Sequence, residues 1–329
     1  MVWKEVFTEP GIRLAWFGRI VMGLLVAISM IPPVWILIYF VWDWMEGTWQ
    51  RRPWRATAGS PFLDWLQELG QAMNIWVRIA GTIVAILLLL AVAVRAATTV
   101  TNERDRQTMD SLLTTPLDST TILFGKWLGS ILAVRWGWLW LGLIWGIGLV
   151  TTGLHVLAFP LVVAAWLVYA AFLSNLGLWF SAVCKTSLRA TIWTIMTSLM
   201  CFGGHWLCWL CCIPIFMVGS GPGRAFEDVA QFQAFGLTPP VALGWLAFQG
   251  EEFREMGNRN EPIKFLAFSL FGLVIWGAAA LGLWGATCAR FRAISGRMPI
   301  RRRLAPRPTP KPPGSPTSSA VSVVEPRTK

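Results

Sequence analysis

The chain has 329 residues, of which 55% are hydrophobic and only 14% charged, with 22 Trp and a formal net charge of +11. Soluble domains carry about 25% charged residues, so this composition excludes an ordinary soluble protein and indicates a polytopic membrane protein. The positive balance does not call for nucleic acid, because the basic residues follow a sidedness pattern and gather in the C-terminal tail.

Residues 1–18, "MVWKEVFTEPGIRLAWFG", are semi-polar, with Trp3 and Phe7 four apart beside Lys4, Glu5 and Glu9. That pattern predicts a short interfacial helix broken at Pro10-Gly11. No signal-peptide pattern opens the chain, since charges precede an apolar run long enough to span. Nothing charged lies between Arg19 and Asp43, which places a first span at about 20–42, kinked at Pro32-Pro33. An outside loop over about 43–73 follows. It contains Trp44, Trp49, Trp54 and Trp65, with Trp42 at its edge, and Trp favours the headgroup layer.

Arg78 and Arg95 bracket 16 apolar residues, a second span at about 74–98 if its ends snorkel. No charge occurs from Trp136 to Cys184, too long a stretch for one helix of about 20 residues. "TTGLHVLAFP" (151–160) breaks it, giving spans at about 131–152 and 158–183. A fifth span is expected at about 190–218 and a sixth at about 265–289. Between them lies a large outside loop, about 219–264, in which "TPPVALGWLAF" (238–248) reads as a re-entrant or interfacial helix too short to span. From 293 the composition turns basic and Pro/Ser-rich, a disordered tail suited to an anionic inner leaflet.

With the N-terminus inside, inside segments carry 20 Lys and Arg and outside segments 7, Arg78 being ambiguous. The expected fold is therefore an all-α integral membrane protein of six transmembrane helices. It has an N-terminal interfacial helix (1–18), a six-span domain (19–292) and a tail (293–329). Both termini are expected to be cytoplasmic, in a plasma (cytoplasmic) membrane.

Most catalytic chemistry is missing. No "GxxxxGK[ST]" occurs, so the chain carries no P-loop, and His155 and His205 are its only His. All six Cys fall in or beside predicted spans, which argues against a disulfide framework. Cys201, His205, Cys208 and Cys212 share a helix face and could hold a soft metal. Small Cys beside Gly203-Gly204 equally serve helix packing, and no metal is expected. No Asp or Glu lies in the core of a span, which argues against a proton-coupled transporter. Ser174 and Asn175 are the main intramembrane polar pair, placed for helix-to-helix hydrogen bonds or for a substrate path. Trp136, Trp138, Trp140 and Trp145 scatter round the third span, which favours packing and lipid contact over a lined path.

Between spans two and three runs "TNERDRQTMDSLLTTPLDSTTIL" (101–123). On a helix from about 102 to 113, Met109, Leu112 and Leu113 share one side. Glu103 and Arg106, or Arg106 and Asp110, are spaced to pair. Thr115 precedes Pro116, which stops the helix, and Asp118 or Ser119 caps the next one, which continues into the third span. Such an amphipathic helix could bind headgroups or seat in a partner's socket.

The stretch "ERDRQTMDSLLTTPLDSTTILFGKWL" (103–128) resembles the signature of type-2 ABC transporter permeases, E-R-x-x-G-T-x-x-x-L-L-x-T-P-L followed by I-L-x-x-K. Glu103, Arg104, Thr108, Leu112, Leu113, Thr115, Pro116, Leu117, Ile122, Leu123 and Lys126 match; Gln107 stands where the family has Gly. Taken as helical, Gln favours that helix over Gly by up to about 1 kcal/mol.

The resemblance implies a permease subunit of an ATP-driven exporter, without an ATPase site of its own. Its partners would be two copies of a separate P-loop ATPase subunit, a second permease subunit (homo- or heterodimer) and membrane lipids, with no nucleic acid. ATP and Mg would be bound by the ATPase and no cofactor by this chain. Segment 102–116 would be the coupling helix, with Met109, Leu112 and Leu113 as apolar anchors and Glu103, Arg104, Arg106 and Asp110 setting register. Asp105, Thr108 and Pro116 complete that docking set. A non-transporting scaffold that docks the same ATPase is the alternative.

Overall fold

A computed structural model describes residues 16–49, 61–105, 118–207, 224–250 and 260–295, with Gln107, Cys211 and Glu252 besides. Every element among them is helical: α1 (Trp16–Trp49), α2 (Pro61–Asp105), α3 (Ser119–Leu132), α4 (Arg135–Val150), α5 (Ala158–Val183), α6 (Ser187–Leu199), α7 (Arg224–Phe232), α8 (Pro239–Leu246) and α9 (Asn260–Ser295). Single π-helical turns follow α6 (Met200–Gly204) and α7 (Gln233–Leu237).

Among the described residues, four stretches are long and apolar enough to cross a membrane: Gly23–Glu46, Phe62–Asp105, Ala158–Val183 and Ile263–Ala293. Helices α3 and α4, bent by 50° across a short break, make a fifth if the pair is one span. The span expected over 190–218 begins in α6, but 208–210 and 212–218 lie outside the described residues.

Several element bounds differ from the expectation. Residues 16–18 of the N-terminal segment are already α1, and 293–295 of the tail are the last turn of α9; the rest of both lies outside the described residues. Helix α2 takes in much of the expected outside loop. Its 45 residues measure about 67 Å, over twice the ~30 Å hydrocarbon core, so it cannot lie wholly within that core. The third span does not start at 131 as one rod. Val134 leaves the helical region at φ −96°, ψ 23°, and its carbonyl restarts the ladder by accepting from Gly137 and Trp138.

Helices α2 and α5 form the axis. In lipid, apolar burial gives no drive between helices, so close approach and hydrogen bonds must hold them. Gly177 of α5 lies flat on α2: a Cβ there would stand 2.8 Å from the Ala96 Cβ and 2.9 Å from the Ala97 amide nitrogen. Three turns away on α5, Trp166 is fully buried and donates Nε1–H to the Ala85 carbonyl of α2 at 3.3 Å. Ser174 and Asn175 join the helices around α5. Ser174 bonds Ser130 of α3 at 2.7 Å, and Asn175 donates Nδ2–H to the Ala280 carbonyl of α9 at 2.9 Å. The scattered Trp of α4 divide as their spacing implies: Trp136 is exposed, while Trp140 and Trp145 are buried.

Helix α1 shows how a proline pair is accommodated. Pro33 lacks the N–H that would bond the Ser29 carbonyl one turn back. Trp76 of α2 donates its indole N–H to that carbonyl at 3.1 Å, and Trp140 of α4 donates to the Ser29 hydroxyl at 3.0 Å. Two tryptophans thus dock where the proline freed the backbone.

Away from the signature, one turn of α2 organises the opposite end. Asn74, buried, donates through Nδ2 to the carbonyls of Gly153 at 2.6 Å and Ala247 at 2.7 Å. Arg78 adds Nε–H to Ala247 at 3.2 Å and forms an ion pair with Glu252. Between them these contacts fix the α4–α5 turn and the strap after α8. Helix α8 itself is the short apolar element entered at Pro239-Pro240, with Ala242, Leu243 and Leu246 buried in the main core.

Candidate functional site

The described signature residues, Glu103, Arg104, Ile122, Leu123 and Lys126, lie at the ends of α2 and α3, against α5. The run Thr98-Thr99-Val100-Thr101 is a poor helix former on propensity. Here the Thr98, Thr99 and Thr101 hydroxyls bond back to the carbonyls of Arg95, Ala96 and Ala97, so each polar group is satisfied within the turn. Helix α2 continues through residues 102–105, which the sequence reading placed in a separate coupling helix. It stops at Gln107, whose amide bonds the Arg104 carbonyl at 3.1 Å in a left-handed conformation, φ 56°. That overturns the expectation that Gln favours the local helix. In this chain the position is a helix terminus, a conformation that Gly adopts with no Cβ to clash.

The expected i, i+3 partner of Glu103, Arg106, lies outside the described residues. Oε1 of Glu103 stands 2.6 Å from Nζ of Lys126, which is only 2% exposed against 23% for Glu103. Lys126 also reaches the Thr99 carbonyl at 3.4 Å. Arg104 turns back into the protein and donates to the Cys184 carbonyl at 3.0 Å. One turn deeper, the Ser181 hydroxyl accepts from the amides of Val100 and Thr101 at 3.0 and 3.1 Å. Asp105 and Gln107 are exposed.

The I-L pair of the signature has its own place. Ile122 and Leu123 are fully buried in a second apolar core with Ala96, Val100, Leu178, Cys288 and Phe291, which binds α3 to α2, α5 and the end of α9. Asp118 caps α3 by accepting from the Thr120 amide at 3.2 Å and from the Thr120 hydroxyl. That hydroxyl bond holds the exposed carboxyl below its ordinary pKa. Segment 106–117, apart from Gln107, lies outside the described residues, so Arg106, Thr108, Met109, Asp110, Leu112, Leu113 and Pro116 are not placed. What is placed is the bracket from which the segment leaves and to which it returns.

The Cys and His candidates divide. Cys201 is half-buried, and Cys208 and Cys212 lie outside the described residues. His205 sits 3.2 Å from the Thr238 hydroxyl and 3.1 Å from the Met200 carbonyl. Among the described residues no three His, Cys, Asp or Glu gather as a metal site.

Four contributors escaped the sequence reading. Ser181 and Gly177 repeat at i, i+4 on α5 and face Ala93, Ala96, Ala97 and Val100 on α2; that small-residue spacing is visible in the chain. Asn74 is a single amide beside an apolar run, a signal of the same kind. Arg78's partner Glu252 is 174 residues away, and nothing local announces it.

A family model described as ABC-2 family transporter protein matches residues 19–207, a stretch that runs from α1 past α6 and includes the whole bracket. Comparison with curated proteins gives no match, and neither does comparison with solved structures. The chain therefore belongs to the ABC-2 transporter family: it is a multi-pass membrane permease of an ABC transporter, and this membership implies an ATPase subunit as its partner.

Proposed function

We propose that this permease couples ATP hydrolysis by a separate P-loop ATPase subunit to export, with segment 106–117 as the coupling element. The observation that carries this reading is the Glu103–Lys126 pair. It joins the two ends of the segment, while the Ile122–Leu123 core and the Arg104 and Ser181 bonds fasten those ends to α5 and α9. A push on a segment held this way moves three helices as one body. A free amphipathic helix on the membrane surface would need no such bracket.

On this reading the chain has no ATPase site of its own, and ATP and Mg belong to the partner. Two permease subunits and two ATPase subunits form the working unit, with both permease termini on the ATPase side. Met109, Leu112 and Leu113 anchor the segment in the ATPase, and Arg106 and Asp110 set its register. Exposed ion pairs contribute only about 0.2–1 kcal/mol each, so the apolar anchors dominate. Glu103 and Arg104 act from behind, as positioning residues.

The test is reconstitution of the native complex in proteoliposomes with a panel of apolar, amphipathic and polymeric cargos. A coupled permease gives a cargo-stimulated ATPase rate together with ATP-dependent movement of that cargo. An ATPase rate indifferent to every cargo, with no movement, favours the scaffold instead.

A further inference from the structure

We propose that the seam between α5 and α9 binds a neutral, oxygen-bearing amphipath drawn from the bilayer, and that such molecules are the cargo class of this permease. The binding claim stands on the seam itself; the cargo claim rests on the export reading above.

Three buried polar atoms along this seam have no hydrogen-bond partner among the described residues: the Tyr169 hydroxyl, the Trp276 indole N–H and Oδ1 of Asn175. Tyr169 is 1% exposed and Asn175 4%. Buried Tyr and Trp usually find a partner for their polar tips, and hydrocarbon offers no water to supply one. Trp76, Trp140 and Trp166 show the usual outcome, each donating to a neighbouring helix. At the seam the Tyr169 ring meets Trp276 edge-on with centroids 5.9 Å apart, and Phe172 meets the same indole at 4.7 Å. Asn175 lies one further turn along α5, donates to the Ala280 carbonyl of α9 and keeps its own oxygen over.

This chemistry selects the ligand. A phenol hydroxyl and an indole N–H both donate, and a carbonyl or hydroxyl oxygen has lone pairs to accept; the carboxamide oxygen in turn accepts from a hydroxyl. No charged residue occurs in α5 or between Phe265 and Ala289 of α9, so an ionised group would enter without a counter-charge, at high cost. A neutral oxygen on an apolar body fits. On α9, Phe271, Val274 and Ile275 flank Trp276 with exposed apolar surface, so the approach is through lipid. A structural water is the competing occupant.

The test uses the full-length permease in lipid nanodiscs and hexadecanol carrying a mid-chain diazirine. Photolabel should map to the peptides holding Phe172 and Trp276. Excess hexadecanol should displace it, and neither hexadecane nor hexadecyl sulfate should. Tyr169→Phe should lower the labelling about fivefold, while its thermal midpoint without the alcohol is unchanged or raised, since only an unpaired hydroxyl is removed. Label spread evenly over the helices, or displaced equally by the alkane or the sulfate, overturns the site. So does a Tyr169→Phe chain with full labelling and a lowered midpoint, which would assign the hydroxyl to a structural water. The cargo claim is read separately in the full complex with its ATPase: hexadecanol should stimulate ATP hydrolysis by the native complex and not by the Tyr169→Phe complex. Site-specific labelling without stimulation overturns the cargo claim and keeps the binding site. A complex that responds to another cargo but not to hexadecanol keeps the export reading; one that responds to none loses it as well.

Discussion

Lys126 Nζ lies 2.6 Å from Glu103 Oε1, so the first and last charged residues of the signature close on each other across the 22 residues between them. Removing one partner takes the opposite charge away from the other. Loss of a partner from a fully buried pair costs about 3–5 kcal/mol, and the partial exposure of Glu103 puts this pair toward the lower end. Lys126→Met and Glu103→Gln should each lower the thermal midpoint of the detergent-solubilised permease. The double variant should lose much less than the two losses combined. Strict additivity in that cycle would mean that the two charges do not interact.

Gln107 occupies a left-handed helix terminus, a conformation that costs a non-glycine residue about 1–2 kcal/mol. Gln107→Gly should therefore stabilise the chain by about 1 kcal/mol, whereas a Gln within a continuing helix would make the same change destabilising. The sign of the shift in thermal midpoint decides between the two geometries.

Gly177 admits no side chain without moving α2, because the Ala96 Cβ and the Ala97 amide already fill the space. Overpacking of this kind costs about 1–3 kcal/mol. Gly177→Leu should fall at or above the upper end of that range and Gly177→Ala within it. A neutral Gly177→Leu in a thermal or denaturant series would contradict the α2–α5 contact.

Trp76 satisfies the carbonyl that Pro33 leaves open. Hydrogen bonds between membrane helices average about 0.6 kcal/mol and reach about 1.7. Trp76→Phe should cost an amount within that span. In a Pro33→Ala background, where an amide can again reach the Ser29 carbonyl, the cost should shrink. An equal cost in both backgrounds would show that Trp76 acts by packing alone.

What the sequence disclosed and what it withheld follow from the range of the forces involved. Apolar runs and charge gaps locate α1, α2, α5 and α9, because lipid immersion constrains every residue of a span. The α3 cap at Asp118 was legible, since it acts within one turn. Helix α2 runs on past its expected end through a threonine-rich turn, an outcome that propensity does not encode. Glu103 found Lys126, and Arg78 found Glu252, across distances no helical period predicts. Gln107 was misread because its position was taken as helical rather than as a terminus. The docking residues themselves, from Arg106 to Pro116, stand on the motif alone.

The most direct test of the central claim is co-purification. Met109, Leu112 and Leu113 are changed together to Ala, with Glu103 and Lys126 left in place, and the native and variant chains are drawn from the native membrane in mild detergent. The account predicts that a P-loop ATPase accompanies the native chain and is lost from the variant, while the variant's thermal midpoint is unchanged. An ATPase retained equally by both chains would contradict it.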